Sequence, residues 1–400
     1  MRVRVIDVNN IEEAKARIRS IGADPYSVPL MAQKAVFKVL LIERIDNRAA
    51  NFLKQDMLSI GGETAVSREV GGLKKGQSNV LVMGTLKQLG ILSSKIAKQP
   101  FGLSEIAKDI DRAVLDLNRK DFAVKCGSKT LRLGKFPVVM GILNVTPDSF
   151  SDGGRYFGVK DAVERARCMV EEGAGIIDIG GESTRPGSER ITPEEEIRRI
   201  IPVIKRLAKT VKVPISVDTY KPDVARAAAE AGAEIINDIT ALRYKKGRMA
   251  DFAAKIKLPV ILMHMRGAPK TMQKKPEYKE VVPEIISYFT DRLRFAAEKG
   301  IKKENVIIDP GIGFGKTLEH NLEILNRLDE FKILGRPVAA GVSRKSFIGK
   351  LTGIENADER LAGSLASSVW CAARGAKILR VHDVKETVQA LKVLNAVMSS

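Results

Sequence analysis

The chain has 400 residues, 44% apolar and 5% aromatic, so it is long enough for one large domain and a smaller one built on aliphatic cores. A formal net charge of +19 raises nucleic acid as a partner, yet residues 1–120 hold 20 basic and 13 acidic side chains and residues 121–400 hold 47 and 35. The excess is spread out, with no interleaved aromatic residues to stack bases, which favours anionic small substrates over a polymer.

Arg2, Arg4 and Asp7 interrupt the N-terminus, so it does not read as a signal peptide. No stretch approaches the roughly 18 uninterrupted apolar residues of a membrane span. The expected location is cytoplasmic. Cys126, Cys168 and Cys371 are far apart and form no C-x-x-C pair, which argues against a disulfide framework or a thiolate metal site.

Residues 1–120 read as a small α/β domain. Strands are expected at Val3–Val8, Ala35–Ile42 and Asn79–Met83, and helices at Ile11–Ile21, Asn47–Ile60, Leu86–Ala97 and Leu103–Leu117. Gly61-Gly62, Gly71-Gly72 and Gly76 mark loops. No cluster of reactive side chains stands out there, so a structural or oligomerisation role is expected. Phe122–Lys125 and Thr130–Leu133 flank Cys126-Gly127-Ser128-Lys129 as a β-hairpin that caps the bottom of the larger domain.

From Val138 onward short β-branched runs alternate with amphipathic segments. Eight strands are expected: Val138–Leu143, Ile176–Ile179, Ile215–Asp218, Glu234–Asn237, Val260–Met263, Val306–Asp309, Val338–Gly341 and Ile378–Val381. Helices are expected at Lys160–Glu172, Pro193–Lys209, Pro222–Ala231, Met249–Ile256, Val281–Glu298, His320–Leu328, Asp358–Arg374 and Val384–Met398. Eight such pairs over residues 121–400 predict an α/β fold, a (β/α)8 TIM barrel. A doubly wound open sheet is the rival, but it usually needs fewer strands.

Polar residues fall at or just past the C-terminal ends of most of these strands: Asn144, Asp178 with Glu182, Asp218, Asn237 with Asp238, His264, Asp309, Ser343 with Arg344 and Lys345, and Arg380 with His382. Each alone has an ordinary explanation as a cap, a turn former or a satisfied buried group. Together they point to one site, because a barrel gathers those ends on one face.

Three loops add to it. Asn144, Thr146, Asp148, Ser149, Ser151 and Asp152 crowd the loop after the first strand, which ends in Gly153-Gly154. Gly180–Ser188 reads as a flap carrying Arg185 between glycines. Gly311–Thr317 is not a phosphate-binding loop of the G-x-x-x-x-G-K-[ST] type, since Pro310 stands where glycine is required; it reads as a glycine-rich turn allowing close approach of a flat ligand, with Phe314 to pack on it.

Ser343-Arg344-Lys345-Ser346 and Arg380-Val381-His382-Asp383 place cations near the last two strand ends, and such a cluster suits a pyrophosphate group. Asp178, Asp218, Asn237 and Asp309 suit the N–H and C=O edge of an aminopyrimidinone ring. A glycosidase-type carboxylate pair stays open, because spacing does not reveal separation in space. Three histidines without clustering argue against a transition-metal centre, whereas Asn144 and ligand phosphates suit Mg2+.

In order, MGILNVTPDSFSDGG (140–154), IIDIGGESTRPGS (176–188), PISVDTYKP (214–222), IINDI (235–239), LMHMRGAPKTMQ (262–273), IIDPGIGFGKT (307–317), GVSRKSFIG (341–349) and RVHDV (380–384) resemble the dihydropteroate synthase family. The resemblance spans about 121–400. It implies a folate-pathway transferase, of a family targeted by sulfonamides, that joins 6-hydroxymethyl-7,8-dihydropterin pyrophosphate to p-aminobenzoate as a homodimer. Carried over by position, it implies that Asp178, Asp218, Asn237, Asp309 and Lys345 hold the pterin. Asn144, Arg380 and His382 would hold pyrophosphate, with Mg2+ on Asn144. Thr184, Arg185, Pro186, Phe314 and Ser346 would lie at the p-aminobenzoate side, and the loop with Thr146 and Asp148 would close over the substrates. Residues 1–120 depart from the compact form of the family and are too short for a fused pterin pyrophosphokinase. Two rivals are a pterin-dependent methyltransferase working with a corrinoid protein, which should lack the pyrophosphate cations, and a basic module without enzymatic activity.

Overall fold

In the computed structural model, which describes residues 2–72, 74–146, 155–182, 190–267, 272 and 275–398, the chain divides into two units, Met1–Arg119 and Lys120–Ser400. The first contains α1 (Ile11–Ser20), α2 (Val28–Ala35), β1 (Phe37–Asp46), α3 (Asn47–Ser59), β2 (Glu63–Ala65), α4 (Arg68–Gly71), β3 (Gln77–Thr85), α5 (Leu86–Ile96) and α6 (Leu103–Asn118). Its antiparallel sheet has the order β1-β3-β2. Alternation along β3 turns Val80 and Val82 toward Leu53, Met57, Leu89 and Leu92, all buried. Thr85 ends β3 and starts α5, its hydroxyl and the Gln88 side chain forming a capping box.

One expected strand does not form. Val3–Val8 has the alternation of a strand, but it pairs with none, and Val3 and Val5 stay exposed. The expected Ala35–Ile42 strand starts at Phe37, because α2 takes the residues before it, and it runs on to Asp46 through an irregularity between Ile42 and Ile45.

The second unit begins with the hairpin β4 (Phe122–Cys126) and β5 (Lys129–Leu133). Next come β6 (Val138–Asn144), α7 (Arg155–Glu171), β7 (Ile176–Gly180), α8 (Pro193–Thr210), β8 (Ile215–Asp218), α9 (Pro222–Ala231), β9 (Ile235–Asp238), α10 (Arg248–Ile256), β10 (Val260–Met263) and α11 (Val281–Glu298). The chain closes with β11 (Val306–Asp309), α12 (Leu318–Asn326), β12 (Ala339–Ala340), α13 (Ser346–Thr352), α14 (Leu361–Ala373), β13 (Ile378–Val381) and α15 (Val384–Val397). The parallel sheet runs β11-β10-β9-β8-β7-β6-β13-β12, and a parallel bridge between Ile308 and Val338 joins its two ends, giving the (β/α)8 barrel.

The expected helix Asp358–Arg374 is preceded by a separate one. Gly353, at φ 74°, terminates α13, and the chain makes a 3-10 turn at Ala357–Glu359 before α14. At the N-terminal ends of the strands, Val124, Cys126, Leu131 and Leu133 of the hairpin pack on Met140, Ile176, Ile235, Ile261, Ile307 and Ile378. That plug closes the barrel floor. Leu133 is fully buried there. Leu133→Ala is expected to lower unfolding free energy by about 2–5 kcal/mol in urea titration; a loss below about 1 kcal/mol would mean the plug is not part of the core.

Candidate active site

Residues near the C-terminal end of a parallel barrel strand are rigidly placed by the ladder and lie at the barrel mouth. β7 contributes Asp178, β8 Asp218, β9 Asn237, β11 Asp309 and β13 Arg380. Asp218, Asn237, Asp309, Phe314, Lys345 and Arg380 line one cavity, with Ile239, Met263 and Ile312 as its apolar walls.

Arg380 ties this mouth together. Its Nε donates to Asp178 Oδ2 at 2.6 Å and its Nη2 to Asp218 Oδ2 at 2.7 Å, while Asn237 Nδ2 donates to the same Asp178 oxygen at 3.1 Å. Two carboxylates therefore share one guanidinium. The second oxygens, Asp178 Oδ1 and Asp218 Oδ1, are buried and accept no hydrogen bond. An unsatisfied buried acceptor costs about 1–3 kcal/mol, so these two atoms are poised to accept N–H donors from a ligand.

Burial drives the electrostatics. It pushes the Asp218 carboxyl up to about 7 against the attraction of Arg380, with Asp178 adding to the rise. Asp309 is raised for the same reason, even though its Oδ1 accepts from Gly311 N at 2.7 Å. Arg380 is held in its charged form: burial opposes that, but Asp178 and Asp218 outweigh it.

The remaining expected residues fall in different places. Lys345 Nζ lies 4.2 Å from the Phe314 ring centroid, a cation–π contact at the cavity wall. Asn144 Oδ1 and Asp218 Oδ2 both lie within 4.0 Å of where a Cβ on Gly180 would sit, so Asn144 borders the carboxylates. Ser343 Oγ and His382 Nδ1 are 3.1 Å apart. Thr146 is half-buried, and Ser346, the first residue of α13, is exposed and not part of the cavity lining. Asp148, Thr184, Arg185 and Pro186 lie outside the described residues.

Several polar residues at strand ends turn elsewhere. Arg344 pairs with Asp383 and Asp358. Glu182 pairs with Lys221. His264, stacked edge-on against Tyr288, is driven down to about 2 by burial and by nearby Lys316. The glycine-rich turn also differs from expectation. A Cβ on Gly311 would lie 2.1 Å from His264 O and one on Gly315 2.2 Å from Arg266 O, so those glycines admit the loop after β10, not a ligand. Buried Lys316 locks that contact, with Nζ 3.0 Å from His264 Nδ1 and donating to Gly311 O at 2.9 Å and Phe314 O at 3.0 Å. Among the described residues no group of three His, Cys, Asp or Glu side chains could hold a metal.

Residues 140–382 match the family model of pterin binding enzymes. A dihydropteroate synthase of Escherichia coli is 52% identical over 264 residues, covering 66% of this chain and 93% of that protein. The chain belongs to the dihydropteroate synthase family. A solved Xanthomonas albilineans family member with 4-aminobenzoic acid is 48% identical with a TM-score of 0.66, covering 70% of this chain and all of that one. Another structure of the family from that organism, in complex with 7,8-dihydropteroate, is 46% identical with a TM-score of 0.63. A probable bifunctional folylpolyglutamate synthase/dihydropteroate synthase of Halobacterium salinarum is 40% identical over 393 residues, which cover 98% of this chain and 46% of that protein. The family member from E. coli thus corresponds in length to the barrel unit, whereas the halobacterial relative also shares residues of the first unit.

Burial places the raised Asp218 carboxyl near neutral pH. With the group at about 7, a fall in pH favours the neutral carboxyl, which gains an O–H donor and is a weaker acceptor for a heterocycle's N–H groups. The apparent second-order rate constant for the pterin substrate is expected to fall with decreasing pH through about 7, and Asp218→Asn to remove that limb along with most activity. A flat wild-type profile over that range would show the carboxyl to be ionised throughout.

Proposed function

We infer that the chain condenses 6-hydroxymethyl-7,8-dihydropterin pyrophosphate with p-aminobenzoate to give 7,8-dihydropteroate and pyrophosphate. The observation that carries this reading is one cavity lined by Asp218, Asn237, Asp309, Lys345 and Arg380, with Asp178 behind it on the same guanidinium. A ring with an amine, a ring N–H and a carbonyl along one edge matches them: the carboxylates accept, and Asn237 and Lys345 offer donors to ring oxygen or nitrogen. Phe314 and Ile239 give the flat faces.

The nucleophile is an aniline nitrogen, which carries its own lone pair and needs no strong base. The barrier lies in breaking the bond from the pterin methylene to pyrophosphate. Asp178, Asp218 and Asp309 stabilise positive charge on the methylene and ring, while Arg380 and His382 face the departing negative charge. Thr184, Arg185, Pro186, Phe314 and Ser346 are assigned to the p-aminobenzoate side, and Thr146 and Asp148 to the loop over the substrates. Asn144, whose amide oxygen lies at the barrel mouth near Asp218, would hold Mg2+. When bound there, Mg2+ would neutralise diphosphate charge.

The deciding experiment is pyrophosphate release with and without p-aminobenzoate, in the presence of Mg2+ and of chelator. Release should require both p-aminobenzoate and the metal, and Arg380→Ala should lower turnover about 100–1000-fold. Release independent of p-aminobenzoate would overturn the reading, and unchanged turnover in Arg380→Ala would overturn the role of that side chain.

We further propose a cytoplasmic homodimer. The three cysteines are free, as a reducing compartment keeps them. Leu322, Leu351 and Trp370, on α12, α13 and α14, leave large apolar side chains exposed on one side of the barrel. No described helix is long and apolar enough to cross a membrane. Residues 1–119 are assigned a structural role, since a full-length family member matches the barrel's share of the chain. Light scattering should give twice the chain mass for the full chain and for a chain lacking residues 1–118, with activity kept; monomers, or a folded but inactive truncation, would refute these assignments.

A further inference from the structure

The first unit holds both a strand-patterned segment that pairs with no described strand and a strand edge that no described strand covers. Arg2, Val3, Arg4, Val5, Ile6 and Asp7 are all exposed, Val3 at 96% and Val5 at 94%. The segment leaves from a fixed point. Val8 packs on the core of the unit, Asn9 N donates to Glu13 Oε2 at 2.9 Å, Lys38 Nζ donates to Asn9 O at 3.1 Å, and Asn10 caps α1. In the sheet order β1-β3-β2, β1 pairs with β3 along Phe37–Ile42 and is an edge strand. Such an edge presents a row of backbone N–H and C=O groups, a template for one more strand. Leu40 and Ile42 of β1 pack on the core, while Phe37, Val39 and Leu41 are exposed on the opposite face.

Residue types select one register between the two. Laid antiparallel with Ile6 opposite Val39, the segment sets Val3 beside Ile42 and Val5 beside Leu40 on the core face, Asp7 beside Lys38, and Arg2 beside Glu43. Two apolar pairs and two pairs of opposite charge coincide. Arg4 falls beside Leu41 on the exposed face, where its stem covers that side chain and its head stays in water. A slip of one residue turns Arg2 and Arg4 toward the core face, and a slip of two sets Asp7 beside Leu40 or Val5 beside Lys38. A parallel alignment that keeps Val3 and Val5 on the core face sets Asp7 beside Arg44, at φ 53° where the strand is irregular. In its own chain the segment leaves from the core face, where Val8 packs and Lys38 holds Asn9 O, so pairing at Asp7 would need a shift from that face to the edge within one residue. A second copy is free of that constraint.

We propose that residues 2–7 of one copy add to the β1 edge of a second copy as an antiparallel strand, and that the exchange is reciprocal. Backbone hydrogen bonds supply the affinity, and the alternate side chains fix the register. Exchange of identical segments closes as a twofold arrangement, so an edge that could otherwise recruit strands without end stops at two copies. That is the stoichiometry already proposed, reached through a surface of the first unit that owes nothing to the reaction assigned to the barrel.

The test is disulfide trapping in the full chain. Ile6→Cys and Val39→Cys together, mildly oxidised, should give a covalent dimer at twice the 43.8 kDa chain mass on non-reducing electrophoresis, whereas either substitution alone should not. Both positions are exposed, so neither change strikes the core. Adding Arg2→Glu should lower the dimer yield about two- to fivefold, and Glu43→Arg on top of it should restore the yield. A disulfide closed within one chain, seen as lost thiols at the monomer mass, would mean that the segment covers its own edge and would overturn the exchange. Absence of any disulfide, or an equal dimer yield when Leu41→Cys replaces Val39→Cys, would overturn the register and the proposal with it.

Discussion

Three carboxylates buried at one barrel mouth cannot all stay charged unless something positive is fixed among them, and the Arg380 bridge to Asp178 and Asp218 is that constraint. Each partner comes from a different strand, so the ion cluster also ties β7, β8 and β13 at their C-terminal ends. It compensates only in part. Asp178 Oδ1 and Asp218 Oδ1 remain without donors, and burial keeps the Asp218 carboxyl well above its ordinary range. The site is therefore electrostatically incomplete in a directed way, and a ligand with N–H donors on one edge completes it.

The barrel was legible because a buried parallel strand has a plain signature, a short run of Ile and Val ending in a polar residue. Ile215–Asp218, Val260–Met263, Val306–Asp309 and Ile378–Val381 begin and end where the hydrophobic run does. The seventh strand shrinks to Ala339–Ala340, since alanine carries little strand preference and the glycine after it none. In the first unit, Val3–Val8 shows why alternation alone misleads: it reports a face that wants covering, not whether a neighbour exists to pair with.

Charged side chains at the mouth were legible as a set but not one by one. Arg344, Lys345, Lys316, Lys221 and Arg380 are indistinguishable as letters beside strand ends. Arg344 is taken by Asp383 and Asp358, Lys221 by two glutamates, and Lys316 by backbone carbonyls and His264, which leaves Lys345 and Arg380 facing the cavity. The partners that decide this lie between 2 and 202 positions away, so no local pattern carries the information. Lys316 had a trace of a signal, in that the glycines around it were too many for an ordinary turn. The approach they permit is backbone to backbone.

Residue types alone divide the site into anions for the heterocycle and cations for the leaving group, and the geometry shows why that division is incomplete. A guanidinium has five N–H donors, and Arg380 spends its Nε–H and one Nη2–H on the two carboxylates. The two contacts fix the orientation of that planar group. In the synthase reading proposed above, one side chain would thus neutralise the carboxylates at the ring and offer its remaining donors to the diphosphate. Donors held by charges at strand ends would need little reorganisation when the bond breaks. Lysine, with a single point charge on a flexible stem, could not satisfy two carboxylates in plane and still aim at a third anion.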